Sequence, residues 1–356
     1  MKKYFKYLML ALPMMLCMAA CGSDNDDNGN EITPQEDKDV VIINADGTTS
    51  NGSQFSETGE PDIFALDGIL YKVDDDHIKV WEGTRNMPNN PVIPGKIKYK
   101  GTTYKVTVVG DNCFFNSENL TGITLPEGLE KIESEAFIYC KKLKSVVIPS
   151  TVKSIGDNVF YECRELASVK LPEGLEKIPQ QMCYNCVSLA SINIPEGVTT
   201  IGKYAFQGCE KLVNLSLPYG LNTIENFAFE HCNGLETISF PSTLVFIGEK
   251  AFHDCPKLRE IRLPEGVKEV GTMAFYPCSS AEVISIPSTM IHFGSAAFSG
   301  CKNIKDLYIY LKSFNTELEG SFTADELKNT TVHFPPELLM AMTRTFWSKC
   351  NLQPDL

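Results

Sequence analysis

The chain has 356 residues, 43% of them hydrophobic, which is enough apolar material for a large ordered structure and excludes global disorder. Its 45 acidic against 32 basic side chains give a net charge of −13, and no basic cluster follows the first six residues. A nucleic-acid partner, which needs a cationic face to displace counterions, is excluded on that ground.

Lys2, Lys3 and Lys6 precede an apolar run from Leu8 to Ala20. Those 13 residues are too few to span a bilayer as a helix, so residues 1–20 are expected to form an export signal. Met18-Ala19-Ala20-Cys21 resembles the lipobox of bacterial lipoproteins, which implies cleavage of the signal and a lipid on Cys21 that ties the protein to a membrane. The acidic run Gly22-Ser23-Asp24-Asn25-Asp26-Asp27-Asn28 is similar to stretches that send lipoproteins to the outer surface in some Gram-negative anaerobes. The implied address is the outer membrane, at the cell surface. Residues 22–60 carry 10 acidic groups and one basic, Lys38, so residues 21–60 are expected to be a flexible tether. Within it, Val40-Val41-Ile42-Ile43 has the composition to pair locally.

Residues 61–108 read as short strands and hairpins, among them Asp67-Gly68-Ile69-Leu70-Tyr71 and Tyr99 to Val106. Asp74-Asp75-Asp76 fits a tight turn between Tyr71-Lys72-Val73 and Ile78-Lys79-Val80 more simply than a calcium site.

From residue 109 to 315 a strict period of 23 organises the chain. Val109, Ile132, Ile155, Ile178, Ile201, Ile224, Ile247, Val270 and Phe293 open nine units without an insertion. Inside a unit, Ala205-Phe206, Cys209 and Leu212 are spaced like the inner side of a short helical turn. Leu258, Ile261 and Leu263 then lead into a strand, which proline ends in eight of nine units, from Pro126 to Pro287. One unit cannot bury its own apolar side, so units must stack, with strands about 4.8 Å apart. Thr331-Val332-His333-Phe334 reads as one more strand. Pro335-Pro336 then opens a helix with Leu338, Leu339, Met342 and Phe346 on one side, so residues 316–356 are expected to close the stack.

The pattern Ile-Gly-x-x-Ala-Phe-x-x-Cys-x-x-Leu-x-x-Ile-x-Ile-Pro resembles the BspA-type leucine-rich repeats, also found in treponemal surface proteins, across all nine units. Met182-Cys183 departs from Ala-Phe, Ser117 from Cys and Ala281 from Leu. The resemblance implies a leucine-rich-repeat solenoid of parallel β coils with short helical turns, a β-rich N-terminal cap and an α/β C-terminal cap.

Eight of the 13 cysteines, from Cys140 to Cys301, share one repeat position. Stacked copies have parallel side-chain vectors poorly placed for disulfides, so they are expected to form a buried thiol column. Cys183-x-x-Cys186 lacks a second pair to complete a zinc or redox site. His231 and His253, one residue short of a period apart and flanked by Glu230 and Asp254, imitate a metal or acid–base cluster but are more simply incidental surface histidines. No phosphate loop, nucleophile elbow or catalytic carboxylate pair stands at an informative spacing, so neither catalysis nor a metal or cofactor is expected.

Outward positions are then the candidates for contact with a partner. Lys170, Asn193, Arg262 and Tyr308 share one column of the expected sheet face. The position after the repeat phenylalanine holds Phe115, Ile138, Tyr161 and Tyr184 in successive units, with Tyr139 beside them. It is expected to form an aromatic strip turned away from the core. The family resemblance implies adhesion to host matrix proteins, host cells or other bacteria. A second reading is an accessory glycan-binding lipoprotein of a nutrient-uptake complex. Neither the oligomeric state nor the ligand follows from the residues.

Overall fold

The computed structural model describes residues 40–89, 91–344 and 346–356. The export signal, Cys21 and the tether up to residue 39 lie outside the described residues, as does the Phe346 side chain.

Each 23-residue unit makes one coil of a solenoid, and each coil contributes to two parallel ladders. The first runs through Ser145–Val147, Ser168–Lys170 and Ser191–Ile192, then Asn214–Ser216 and Thr237–Ser239, and then from Glu260–Arg262 to Asp306–Ile309. Its register is one full period, as in Ser168 opposite both Ser145 and Ser191. A second ladder of two-residue strands joins Lys131–Ile132 to Ser154–Ile155 and continues from Lys177–Ile178 to His292–Phe293. Each of these short strands buries its second residue and leaves the first at the surface, so Ile132, Ile178 and Ile224 point into the core.

The segment carrying Ala-Phe and Cys is not a helix. Its N–H groups alternate in direction: those of Glu135, Phe137 and Tyr139 donate to Asp157, Val159 and Tyr161 of the next coil, whereas those of Ile138 and Cys140 close turns on Glu135 and Phe137. An α-helix would send every N–H back along its own chain. In eight of the nine coils two residues, four apart, adopt left-handed backbone, such as Glu135 (φ 59°) and Tyr139 (φ 61°), and recur as Asn158 and Glu162, then Gln181 and Asn185; the coil opened by Val270 has Met273 alone, with Pro277 at the second position. The apolar spacing that mimics a helix therefore marks an arc of turns whose inner side is the same. Gly294 sits where this arc crosses the preceding coil, and a β-carbon there would collide with the Thr272 backbone.

The interior is a set of columns. Phe114, Phe137 and Phe160 stack at 4.9 and 5.5 Å between ring centroids, and Phe206, Phe229, Phe252, Phe275 and Phe298 continue at 5.2 to 5.5 Å. Cys183 interrupts them, and the long Met182 beside it is fully buried where other units carry alanine or valine, so volume lost at one site is returned at the next. Next to the rings runs the thiol column. Each Sγ donates to a main-chain carbonyl 26 residues earlier, from Cys140 on Phe114 at 3.0 Å to Cys301 on Phe275 at 3.6 Å. Ser117, which replaces the first cysteine, gives its hydroxyl to the same Phe114 carbonyl at 2.8 Å. The position thus requires a small, mostly apolar donor, which describes a thiol.

Both ends close this interior. Regular pairing is already present ahead of residue 61: Val40–Ile42 pairs parallel with Lys96–Tyr99, and Phe55–Glu57 pairs antiparallel with Ile63–Leu66. The run Val40 to Ile43 buries Val41 and Ile43, which is why residues 40–60 do not behave as tether. His77–Gly83 pairs parallel with Thr102–Val109, which pairs with Lys131–Ile132, so the N-terminal cap extends the stack edge to edge. Lys79 and Lys131 both pair with Glu133 across this junction. Burial raises the Glu133 carboxyl's pKa, but the two ammonium groups outweigh it and hold it below its ordinary value.

At the C-terminal end Phe322 adds a ring at 5.3 Å from Phe298, and Trp347 meets it edge-on at 6.0 Å. Thr331–His333 joins the first ladder as expected, but the helix after Pro336 spans only Leu339–Met342 between two 3-10 turns. Leu338 and Met342 are buried, whereas Leu339 is 41% exposed. Asn351–Gln353 then returns as a further parallel strand, for which the sequence shows no hydrophobic alternation. Among the described residues no helix is long and apolar enough to cross a membrane.

Eleven cysteines from Cys113 to Cys350 are free, and all but Cys350 are buried. Burial pushes the Cys301 thiol up to about 12 and raises others of the column, such as Cys255, well above the ordinary thiol value, so thiolate is scarce at neutral pH. Alkylation of native protein at pH 8 is therefore expected to label Cys350 alone, and unfolding without reductant to release all 11 of these thiols. Mass spectrometry of the alkylated chain checks this; a shortfall after unfolding would show disulfides.

Candidate binding surface

Outward side chains at one repeat position become near neighbours, and on the turn side of the coils this builds a continuous row of rings. Phe115 meets Tyr139 edge-on at 5.7 Å, and Tyr139 meets Tyr161 likewise at 5.6 Å. Tyr161 and Tyr184 stack face to face at 4.5 Å. Tyr204 follows at 6.5 Å and stacks on Phe227 at 4.7 Å. All six are half-buried. Burial, and then the neighbouring phenols of Tyr184 and Tyr139, raise the Tyr161 hydroxyl above its ordinary pKa.

Two corrections attach to the expected strip. Ile138 is only 7% exposed: at the repeat position that it shares with Phe115, Tyr161 and Tyr184, its shorter aliphatic side chain does not reach the surface as their rings do, so it adds nothing open to the row. Tyr204 and Phe227 extend the row by two coils from a different repeat position, the first of those left-handed residues (φ 56° and 62°). Lys203 lies 5.1 Å from the Tyr204 ring and Lys250 5.6 Å from Phe227, so cations flank the row's far end. The N-terminal cap continues the ladders, and all six rings keep part of their surface exposed among the described residues.

On the sheet face Lys170, Asn193 and Arg262 are exposed, but they do not converge. Arg262 is engaged by Glu260 at 2.6 Å. Tyr308 is half-buried, stacked on His333 at 4.5 Å, so it belongs to the closing end of the stack. His333 Nδ1 lies 3.0 Å from Asp355 and Nε2 3.3 Å from Asp306, and this clamps the last strand to its neighbours.

Further along the turn side lie the residues that suggested a cluster from their spacing. His231 and His253 approach at 5.8 Å between ring centroids, with Glu230 and Asp254 in contact with them. Cys183 and Cys186 are sealed in the core, away from any such group at the surface.

A repeat of 23-residue coils with two parallel ladders, buried phenylalanine and cysteine columns and a polar exterior defines a leucine-rich-repeat solenoid. The BspA type leucine rich repeat region matches residues 96–213 and 199–328 in six copies. The chain belongs to that family. No curated protein matches it in sequence. Among solved structures it is similar to a leucine-rich cell surface protein of Faecalibacterium prausnitzii (23% identity, TM-score 0.46, 83% of this chain and 95% of that one). It is also similar to a leucine-rich repeat protein of Eubacterium ventriosum (24%, 0.49, 56% and 51%) and to the leucine-rich repeat protein of T. pallidum (25%, 0.40, 67% and 88%).

Two outcomes follow from this geometry. Replacing Phe227 by Asn removes a stacked ring worth ~0.5–1.5 kcal/mol but relieves left-handed strain of ~1–2 kcal/mol, so stability by urea denaturation should change by less than about 1 kcal/mol. A loss of several kcal/mol would mean that the ring is a core residue. For His333, burial lowers the imidazole pKa, but the Asp355 and Asp306 carboxylates outweigh this and raise it above 6.5. A raised folded-state pKa stabilises below the unfolded value and is lost as pH climbs through the folded one. The C-terminal end is therefore expected to loosen from pH 6.5 upward, read by amide exchange in Asn351–Gln353, and His333→Gln should abolish the dependence.

Proposed function

We propose that the protein is a non-enzymatic binding module, held at the bacterial cell surface through lipid on Cys21, whose ligand is a protein of the host matrix, a host cell or another bacterium. The row of half-exposed rings from Phe115 to Phe227 carries this reading. The solenoid supports it as a rigid scaffold, and the export signal and lipobox support the address.

The orientation of the rings favours a protein over a glycan. Sugars dock on free ring faces, but Tyr161 and Tyr184 cover each other's faces at an interplanar angle of 1°, and Tyr204 and Phe227 do so at 17°. Each stacked ring thus has one face fewer to offer a sugar, whereas edges and phenol hydroxyls, pre-ordered at low entropic cost, are the character of tyrosine-rich protein interfaces. Flanking Lys203 and Lys250 add cations that suit an acidic partner segment beside an otherwise acidic chain.

Tyr161→Ser with Tyr184→Ser is expected to weaken adhesion to immobilised matrix or cell-surface proteins by roughly tenfold or more, with the melting temperature little changed. Adhesion unchanged in that variant refutes the surface assignment. Binding on glycan arrays that this variant abolishes, with none on protein arrays, would replace the protein ligand by a carbohydrate.

A further inference from the structure

Beyond the aromatic row, the turn side carries a group of donors that the binding reading does not use. The ligand atoms of Glu230, His231 and His253 all lie within 4.8 Å of one another. The stacking register brings them together: Glu230 and His253 are 23 residues apart, as are His231 and Asp254, so two short sequence pairs on adjacent coils face each other.

Three features set this group apart from incidental surface histidines. Glu230 is only 7% exposed, yet among the described residues no lysine or arginine pairs with it; its close partners are the Gln207 amide and the imidazole of His253. A buried carboxylate without a counter-cation is costly. Moreover, His253 Nδ1 lies 3.3 Å from Glu230 Oε1 but off the hydrogen-bonding direction, so this buried nitrogen makes no hydrogen bond, and neither does the buried Gln207 Oε1 on the other side of Glu230. Finally, His231 Nδ1 is engaged by Asp254 Oδ2 at 3.0 Å, which fixes the ring and leaves Nε2 as its free ligand atom, the arrangement by which a carboxylate orients a metal-binding histidine.

We infer that Glu230, His231 and His253 bind one divalent transition-metal ion of the zinc class, with Asp254 positioning His231. Two imidazoles and one carboxylate match zinc's borderline preference and are too poor in oxygen for calcium or magnesium. The ion neutralises the isolated Glu230 carboxylate. Because the His231 side chain is 46% exposed, one side of the ion faces solvent and keeps a coordination position open. Three ligands from two adjacent coils make the ion a staple across the stack.

Titration of the tag-free, reduced protein with Zn²⁺ by calorimetry is expected to show one site, and Co²⁺ substitution a visible d–d band without thiolate charge transfer. His231→Asn, which suits the left-handed backbone at φ 58°, and His253→Gln should each abolish that site with circular dichroism unchanged. Asp254→Asn should weaken it roughly 10- to 100-fold. Absence of stoichiometric binding, retention of the site in His231→Asn, or a thiolate band showing that the metal has gone to the cysteines would each overturn the assignment. Should His253→Gln fail to fold, the exposed His231 variant alone decides the outcome.

Discussion

The structure depends on coil-to-coil registration of the main chain. In the turn arc every second N–H must find the carbonyl 22 residues ahead, as Phe137 finds Val159 and Phe229 finds Ala251, and it finds it only if the next coil has the same length and the same pair of left-handed residues. A single inserted residue would orphan donors in a dry interior, where an unmade hydrogen bond costs ~1–3 kcal/mol. This is why the period of 23 holds without exception over nine units, and why the thiols matter: each supplies a further coil-to-coil bond at a point where a larger polar group would not fit.

Registration also dictates which surface chemistry is possible. Identical positions on successive coils are lateral neighbours, so a column of like charges would repel itself. The chain avoids this by alternating partners: Asn158 donates to Glu135, Asn185 to Glu162, and Lys153, Arg259 and Lys305 each reach an acid one coil back. Aromatic residues suit the same geometry, because rings at coil spacing attract. Any cluster of functional groups must therefore come from residues about one period apart, a rule that both the ring row and the Glu230, His231 and His253 group obey.

Much of this was legible in the sequence because the 23-residue spacing and the buried columns are one fact seen twice: Phe206 to Phe298 and Cys140 to Cys301 recur because the same inward position recurs. What the sequence hid has physical causes. Strands of two residues, such as Lys177–Ile178, are too short to display alternation, so the second ladder is silent. An arc of turns and a helical turn bury the same spacing of residues, and only hydrogen-bond direction separates them. Tyr204 and Phe227 escaped notice because they occupy a turn position where asparagine or glycine is the expected residue, and Ile138 was misplaced because it shares a repeat position with outward rings but lacks their reach. The group at Glu230 was visible as spacing alone; the unpaired carboxylate and the orphaned nitrogen needed coordinates.

Left-handed positions also separate what the fold demands from what it tolerates. Elsewhere in the stack these sites carry Asn116, Asn158, Asn185, Gly208 and Gly300, which accept positive φ at little cost, but also Glu135, Glu162, Gln181, Lys250, Met273 and Ala296, which bear the same strain as a ring does. Tyr139, Tyr204, Phe227 and His231 occupy equivalent sites at φ between 56° and 62°, each at the expense of local strain that asparagine would relieve without disturbing a single backbone bond. The phenylalanine column has no such alternative, since its rings fill the interior and their loss would leave cavities. Left-handed strain therefore does not by itself mark a functional side chain; what sets Tyr139, Tyr204 and Phe227 apart is that three rings at strained turn positions join Phe115, Tyr161 and Tyr184 in one surface row, an arrangement that backbone registration does not require.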